Sequence, residues 1–126
     1  MMRLVDESTD RRPLPVVVHR LYNEKKAYLL YEQGRFSDAV DSYDKALTLT
    51  FEGHRARIKI RGGRALAVFM GSSRESTERE TLRQEMTEVA GAAKNAGYPD
   101  VLGWARQNLD LLPRGSAGPW VAFERP

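Results

Sequence analysis

The residues from Ala27 to Leu49 contain two short runs in which apolar positions recur every three or four residues, separated by a turn. At this spacing Ala27, Leu30 and Tyr31 share one face of a helix. Gly34 follows at the point where a helix C-terminus favours a positive φ angle, which glycine adopts without steric cost. The pattern therefore predicts a helix that ends at Gln33.

A second helix is predicted to begin at Ser37. The Ser37 hydroxyl can accept a hydrogen bond from the first backbone N–H groups, Asp38 brings negative charge to the positive end of the helix dipole, and Phe36 can pack back across the turn. The apolar stripe of this helix consists of Ala39, Val40, Tyr43, Ala46 and Leu47. Two helices joined by about three residues form an antiparallel helical hairpin.

This hairpin resembles a tetratricopeptide repeat. The family's alternation of small and large residues appears at Ala27, Gly34, Phe36, Ala39, Tyr43, Ala46, Leu47 and Leu49. Phe51 stands where the family usually has a closing proline, and Asn23 stands where it often has a large aromatic residue. The resemblance implies a short right-handed stack of antiparallel helix hairpins, with a groove that binds a peptide or helix of a partner protein.

The segment 54–70 allows two interpretations. As a helix it places Gly63 at the small position that Ala27 holds in the first hairpin, with Leu66 and Phe69 in the core. However, basic residues alternate with apolar ones from Arg55 to Arg61, which is the period of a strand, and a glycine pair follows, which disfavours a helix. We prefer the helix, because an isolated strand would have no predicted strand to pair with.

Two further helices are predicted towards the C-terminal end. Thr77 and Glu80 have the spacing of a capping box, and the helix that follows has an apolar face of Leu82, Met86, Val89 and Ala93. Asp100 begins the last helix, which Pro113 ends. The sequence thus predicts an all-α fold with helices near 16–33, 37–50, 54–70, 76–96 and 100–112. These helices amount to about two repeats and one extra helix.

The domain organisation predicted from this pattern is a flexible N-terminal arm (1–13), a helical domain (14–112) and an extended tail (113–126). About three repeats are normally needed for a stable stack, so we expect a homodimer or an obligate complex. The tail is rich in glycine and proline but carries Trp120 and Phe123, which are too apolar to be left in water. It either folds back on its own helices or docks on a neighbouring subunit or partner.

Positive charge is concentrated in one segment. The chain has a net charge of +3, and the stretch from His54 to Arg64 holds five cations and no acid. Two explanations remain open. The cations either form a solvated face that the acidic second helix balances, or they belong to a binding surface.

The family resemblance implies which residues line the groove: Leu21, Glu24, Tyr28, Tyr31, Arg57 and Arg64. Some members of the family clamp a terminal carboxylate with Lys and Asn, but the corresponding residues here look like Glu24 and Tyr28, and a carboxylate would repel a carboxylate. The resemblance instead suits a peptide or helix of mixed charge. Its apolar anchor would rest on Tyr28 and Tyr31, and Arg57 or Arg64 would hold its acidic group.

Composition narrows the remaining function classes. The absence of cysteine excludes disulfides and thiolate metal sites. The sequence also has no apolar run of about 18 residues and no signal-peptide core, so we expect a soluble, cytoplasmic protein without membrane contact. His19 and His54 lie in no recognisable catalytic, metal-binding or phosphate-loop motif, so we predict a non-catalytic adaptor with no cofactor and no metal. Nucleic-acid binding through residues 54–64 is the less favoured alternative, since no aromatic residue interrupts the basic run.

Overall fold

A computed structural model describes residues 15–51 and 54–112, and within these ranges the chain forms α-helices joined by turns. The elements are α1 (Val16–Glu32), α2 (Phe36–Leu47), α3 (Arg55–Met70), α4 (Ser76–Ala96) and α5 (Pro99–Leu111). The predicted all-α fold class is confirmed, and because α3 is helical throughout, the strand alternative for 54–61 is wrong. The predictions for the arm 1–13 and for the tail 113–126, with Trp120 and Phe123, lie outside the described residues.

Each helix packs against the next one in chain order, and α1 also contacts α3. The helix α3 therefore lies in the middle of the stack, with α1 and α2 on one side and α4 and α5 on the other. The most completely buried large side chains come from α3, α4 and α5: Phe69, Ile60, Leu66, Leu82, Met86, Val89, Val101 and Asn108. The core thus runs along the central helix.

The central position of α3 explains its misleading alternation. Ala56, Ile58 and Ile60 are all buried, although they point in different directions around a helix. A helix enclosed by neighbours on most of its circumference has apolar residues on more than one face, and over six residues this can imitate the two-residue period of a strand.

The glycine pair that follows permits α3 to approach its neighbours closely. A Cβ atom at Gly62 would lie 2.6 Å from the Trp104 ring on α5, and one at Gly63 would lie 2.8 Å from the Tyr43 ring on α2. Both distances are below van der Waals contact, so glycine at these two positions sets the spacing of three helices.

The start of α2 and the capping residues of α4 differ from the predicted ones. Helix α2 begins at Phe36 with Arg35 as N-cap, and Ser37 makes no capping hydrogen bond; instead Asp38 accepts from the Arg35 guanidinium at 2.7 Å. Helix α4 has its capping box at Glu75 and Glu78, not at Thr77 and Glu80, and the Glu78 carboxylate accepts the Glu75 backbone N–H at 3.1 Å. Helix α2 thus begins one residue earlier than predicted, whereas α4 begins at the predicted Ser76 and only its capping residues shift, by two positions.

The two glycine-terminated helix ends agree with the sequence, whereas the end of α2 and the start of α5 differ from it. Gly34 has a φ of 78°, as predicted for the residue after α1, and Gly97 ends α4 in the left-handed conformation with a φ of 80°. Helix α2 ends at Leu47, three residues before the predicted end, and α5 begins with Pro99, whose ring suits the first position of a helix.

Candidate partner-binding groove

A groove of about 580 Å³ lies along the exposed face of α3, between α2 and α4. We call it the α3 groove. Its walls and floor are formed by Asp44 and Leu47 of α2, by Arg57, Arg61, Arg64, Ala65, Val68 and Phe69 of α3, and by Thr77, Glu78, Thr81, Leu82 and Glu85 of α4. The groove exists because α2 and α4 both pack on α3 but leave one strip of it uncovered.

The strip of α3 in this groove carries Arg57, Arg61, Arg64 and Val68, which recur every three or four residues and so share a face. Val68 is 45% exposed on that face, Ala65 three residues before it is half-buried, and so is Leu47 at the end of α2. The floor therefore offers an apolar site next to three guanidinium groups.

Carboxylates on both walls hold two of these arginines in place. Arg64 Nε lies 2.5 Å from Asp44 Oδ1 on α2, and an Arg61 guanidinium nitrogen lies 2.9 Å from Glu88 and 3.6 Å from Glu85 on α4. These pairs are partly exposed, so each contributes little to the free energy of unfolding, but they fix the direction of the side chains. The groove lining contains three arginines and three carboxylates, so its charge is mixed and not uniformly basic.

Arg57 lies at the end of the groove where α2 terminates. Its guanidinium donates to the backbone carbonyl of Leu47, the last residue of α2, at 3.3 Å. A cation at a helix C-terminus is stabilised there, because the last carbonyl groups carry partial negative charge. Arg57 thus lines the groove and also binds the C-terminal end of α2.

The structure divides the six predicted groove residues among different places. Arg57 and Arg64 lie together in the α3 groove, whereas Leu21 is a 41% exposed residue of α1. Tyr31 is only 6% exposed and packs edge-on against Phe36, with ring centroids 5.4 Å apart, so its ring belongs to the core. Burial also raises the pKa of the Tyr31 phenol far above its usual value.

Glu24 and Tyr28 are half-buried and follow Leu21 on α1 at three and seven residues, the spacing of one helix face. The ammonium of Lys25 lies 5.2 Å from the centroid of the half-buried Tyr28 ring. Glu24 forms an ion pair with Lys59 of α3, with 2.9 Å between Oε1 and Nζ, and a second one with Arg20 of its own helix. The Lys59 side chain is only 6% exposed, and burial lowers its pKa while the hydrogen bond with Glu24 opposes that change. Glu24 is thus engaged in packing α1 against α3.

The remaining cation of the basic segment, Arg55, reaches α5. Its guanidinium donates two hydrogen bonds, of 2.8 and 2.6 Å, to the two carboxylate oxygens of Asp100. This bidentate arrangement holds the pKa of Asp100 at about 2, below its usual value. Each of the other four helices therefore receives at least one cation from α3: α1 through Lys59, α2 through Arg64, α4 through Arg61 and α5 through Arg55.

Sequence reasoning considered the acidic second helix as a partner of the cations, but it missed the acidic wall formed by α4 and the apolar floor of the groove. Val68 lies four residues after Arg64 and eleven after Arg57, so helical spacing alone could have placed it on the same face. The carboxylates Asp44, Glu78 and Glu85 come from helices whose packing on α3 the sequence did not specify.

The two histidines show no catalytic arrangement. His54 caps α3, because its Nδ1 accepts the Ala56 backbone N–H at 3.0 Å, and His19 is an exposed residue of α1. In the part of the chain that the structure describes, no group of three or more histidine, aspartate or glutamate residues is arranged to hold a metal ion.

No protein-family model, no curated protein and no solved structure matched the chain. Among the helices described, none combines the length and the apolar character that crossing a membrane requires.

Proposed function

We propose that this chain is a non-catalytic adaptor that binds a peptide or helix of a partner protein in the α3 groove. The observation that carries the proposal is the groove itself, an uncovered strip of the central helix where an apolar floor lies beside positioned arginines. A tetratricopeptide-like assignment and a cytoplasmic location belong to the same proposal. The helical hairpins in chain order support the first, and the cysteine-free composition supports the second.

The chemistry of the groove indicates the chemistry of the ligand. Val68 and Ala65, three residues apart on α3, can bury one apolar side chain of a partner, and burying such a side chain contributes about 1.5–3 kcal/mol. Arg64 lies about one turn before Val68 along α3, and a guanidinium carries five N–H donors, so it can bind a second acceptor while it keeps a first. We expect a ligand segment with a large apolar side chain close to an acidic one.

We do not propose nucleic-acid binding, because the basic segment is matched by the chain's own acids. Arg55, Lys59, Arg61 and Arg64 each form an ion pair with a carboxylate of another helix. Phosphates would have to displace these carboxylates, and phosphate binding depends on cations that a backbone can neutralise.

The proposal can be tested by selecting a random peptide library, displayed on phage, against the full chain. The expected result is enrichment of peptides in which an acidic residue lies within one helical turn of a large apolar residue. Val68→Glu, which puts a charge on the apolar floor, and Arg64→Ala, which removes the guanidinium one turn away, should each weaken binding of the selected peptides at least about tenfold.

Arg106→Ala provides the matched control, because Arg106 is an exposed arginine on α5 outside the groove lining. It should bind the selected peptides as the unmodified chain does, and circular dichroism should show all three variants folded. Equal binding by Val68→Glu and by the control would overturn the proposal. If Tyr28→Ala abolishes binding and Val68→Glu does not, the ligand lies on the α1 surface implied by the family resemblance.

A further inference from the structure

The exposed apolar residues are concentrated at one end of the stack. Within the described ranges eight large hydrophobic side chains are exposed, and six of them lie on α1: Val16, Val17, Val18, Leu21, Tyr22 and Leu29. The last helix of the stack is different, because the exposed positions of α5 are Pro99, Gly103, Arg106, Gln107 and Asp110. The two ends are therefore not complementary, and head-to-tail association of copies would place an apolar face on a polar one.

The outer face of α1 has the spacing of a helix–helix seam. Val18, Tyr22, Lys25 and Leu29 are all exposed and follow one another at intervals of four, three and four residues, on the side of α1 opposite the fully buried Ala27. This is the interval pattern of positions d and a in a heptad, along which two helices pack side by side.

These four positions are also symmetric about the midpoint between Asn23 and Glu24. If a second α1 runs antiparallel across a two-fold axis at that point, Val18 meets Leu29 of the other copy, and Tyr22 meets Lys25 of the other copy. Each contact then joins partners that attract, since two aliphatic side chains meet at each outer level and an ammonium meets an aromatic ring at each inner level. A parallel pair would instead place the two Lys25 side chains against each other.

We propose that α1 is a self-association surface, on which a second copy of this chain docks its own α1 antiparallel and in register about that midpoint. A seam of four residues from each copy is at the small end of specific protein interfaces, so the dimer forms reversibly and depends on protein concentration. Because α1 and the α3 groove are different surfaces, dimerisation leaves the groove open for a partner.

The test uses two single variants of the full chain, Val18→Glu and Leu29→Lys, studied by sedimentation velocity over about a hundredfold dilution series. Alone, each variant puts two charges opposite aliphatic side chains of the other copy, and its dimer dissociation constant should rise at least about tenfold. Mixed in equal amounts, the two variants should associate again to within about threefold of the unmodified chain. In the mixed dimer the new carboxylate faces the new ammonium at one end, and Leu29 meets Val18 at the other.

Recovery on mixing is specific to the antiparallel register. In a parallel pair the mixture would place each new charge opposite an aliphatic residue and would not recover, so that outcome overturns the proposal. A chain that stays monomeric at every concentration overturns it as well. Val68→Glu serves as the control, because it alters the α3 groove and should dimerise with an unchanged dissociation constant. The self-association proposal can therefore fail while peptide binding is retained, and the reverse.

Discussion

The two glycines inside α3 permit a quantitative test of the packing. Glycine is normally unfavourable within a helix, so replacing it by alanine at an exposed helical position stabilises a protein by about 0.8–1 kcal/mol. Gly91 in α4 and Gly103 in α5 are such positions, because a Cβ atom there would meet nothing within 4 Å. Gly62→Ala and Gly63→Ala should have the opposite effect.

The magnitude follows from the distances. A Cβ atom at position 62 would lie 2.6 and 2.7 Å from two ring atoms of Trp104, and at position 63 between 2.8 and 2.9 Å from three atoms of Tyr43. Both rings are almost completely buried, so they cannot move aside without disturbing the core. Overpacking of this kind costs about 1–3 kcal/mol, and with the upper value the net loss after the gain in helix propensity is about 2 kcal/mol.

The assay is urea and thermal unfolding followed by far-ultraviolet circular dichroism. Gly62→Ala and Gly63→Ala should each lower Tm by about 8 °C, whereas Gly91→Ala and Gly103→Ala should raise it by up to about 4 °C. In a Trp104→Leu background the Gly62→Ala substitution should lose most of its cost, because the obstructing ring is gone. If Gly62→Ala raised Tm as much as Gly91→Ala does, that result would refute the close approach of α3 and α5.

Three further outcomes follow from the ion pairs and helix ends. Glu24→Gln should reduce the free energy of unfolding by about 3 kcal/mol in chemical denaturation, because it leaves the buried Lys59 ammonium without its carboxylate, whereas Lys59→Met should change it little. An unchanged Glu24→Gln variant would contradict the burial of this pair. Asp100 has a lowered pKa in the folded state, so the stability it contributes is present above the unfolded pKa and is lost as the pH falls through about 2. Between about pH 5 and pH 2 the unmodified chain should therefore lose about 1 kcal/mol more than Asp100→Asn, and parallel pH profiles would refute the Arg55 pair. Gly97→Ala should lower stability by about 1 kcal/mol because its φ is positive, with Gly91→Ala as the stabilised control in the same melting series.

Helices α2, α4 and α5 could be predicted from the sequence because each has an apolar face that the period of 3.6 residues reveals. Met86 and Val89 on α4, for example, lie three residues apart and are both buried. The capping residues of α4 could not be predicted, although its start at Ser76 was, because the stretch 72–80 contains several residues able to cap a helix, and the choice of Glu75 depends on hydrogen bonds that form only once the turn has folded.

The candidate site was harder to predict than the fold. The sequence shows that Arg57 and Arg64 share a helical face, but which neighbours flank that face is decided by how α2 and α4 pack on it. Tyr31 shows a second difficulty. An aromatic residue on a helix face can line a groove or pack in a core, and only the structure shows that Tyr31 is in the core. By helix propensity the glycine pair disfavours a helix. In the fold, however, the missing side chains leave the space that the Trp104 and Tyr43 rings occupy.

The central position of α3 affects how the molecule unfolds. In long solenoids each unit contacts only its neighbours, so an end can fray while the middle persists. Here α3 contacts α1 directly and is bonded to α5 through Arg55 and Asp100, so detaching either terminal helix exposes the middle of the stack at once. The chain should therefore melt as one cooperative unit. Truncation by a single helix at either end would remove support from the helix that forms the floor of the groove.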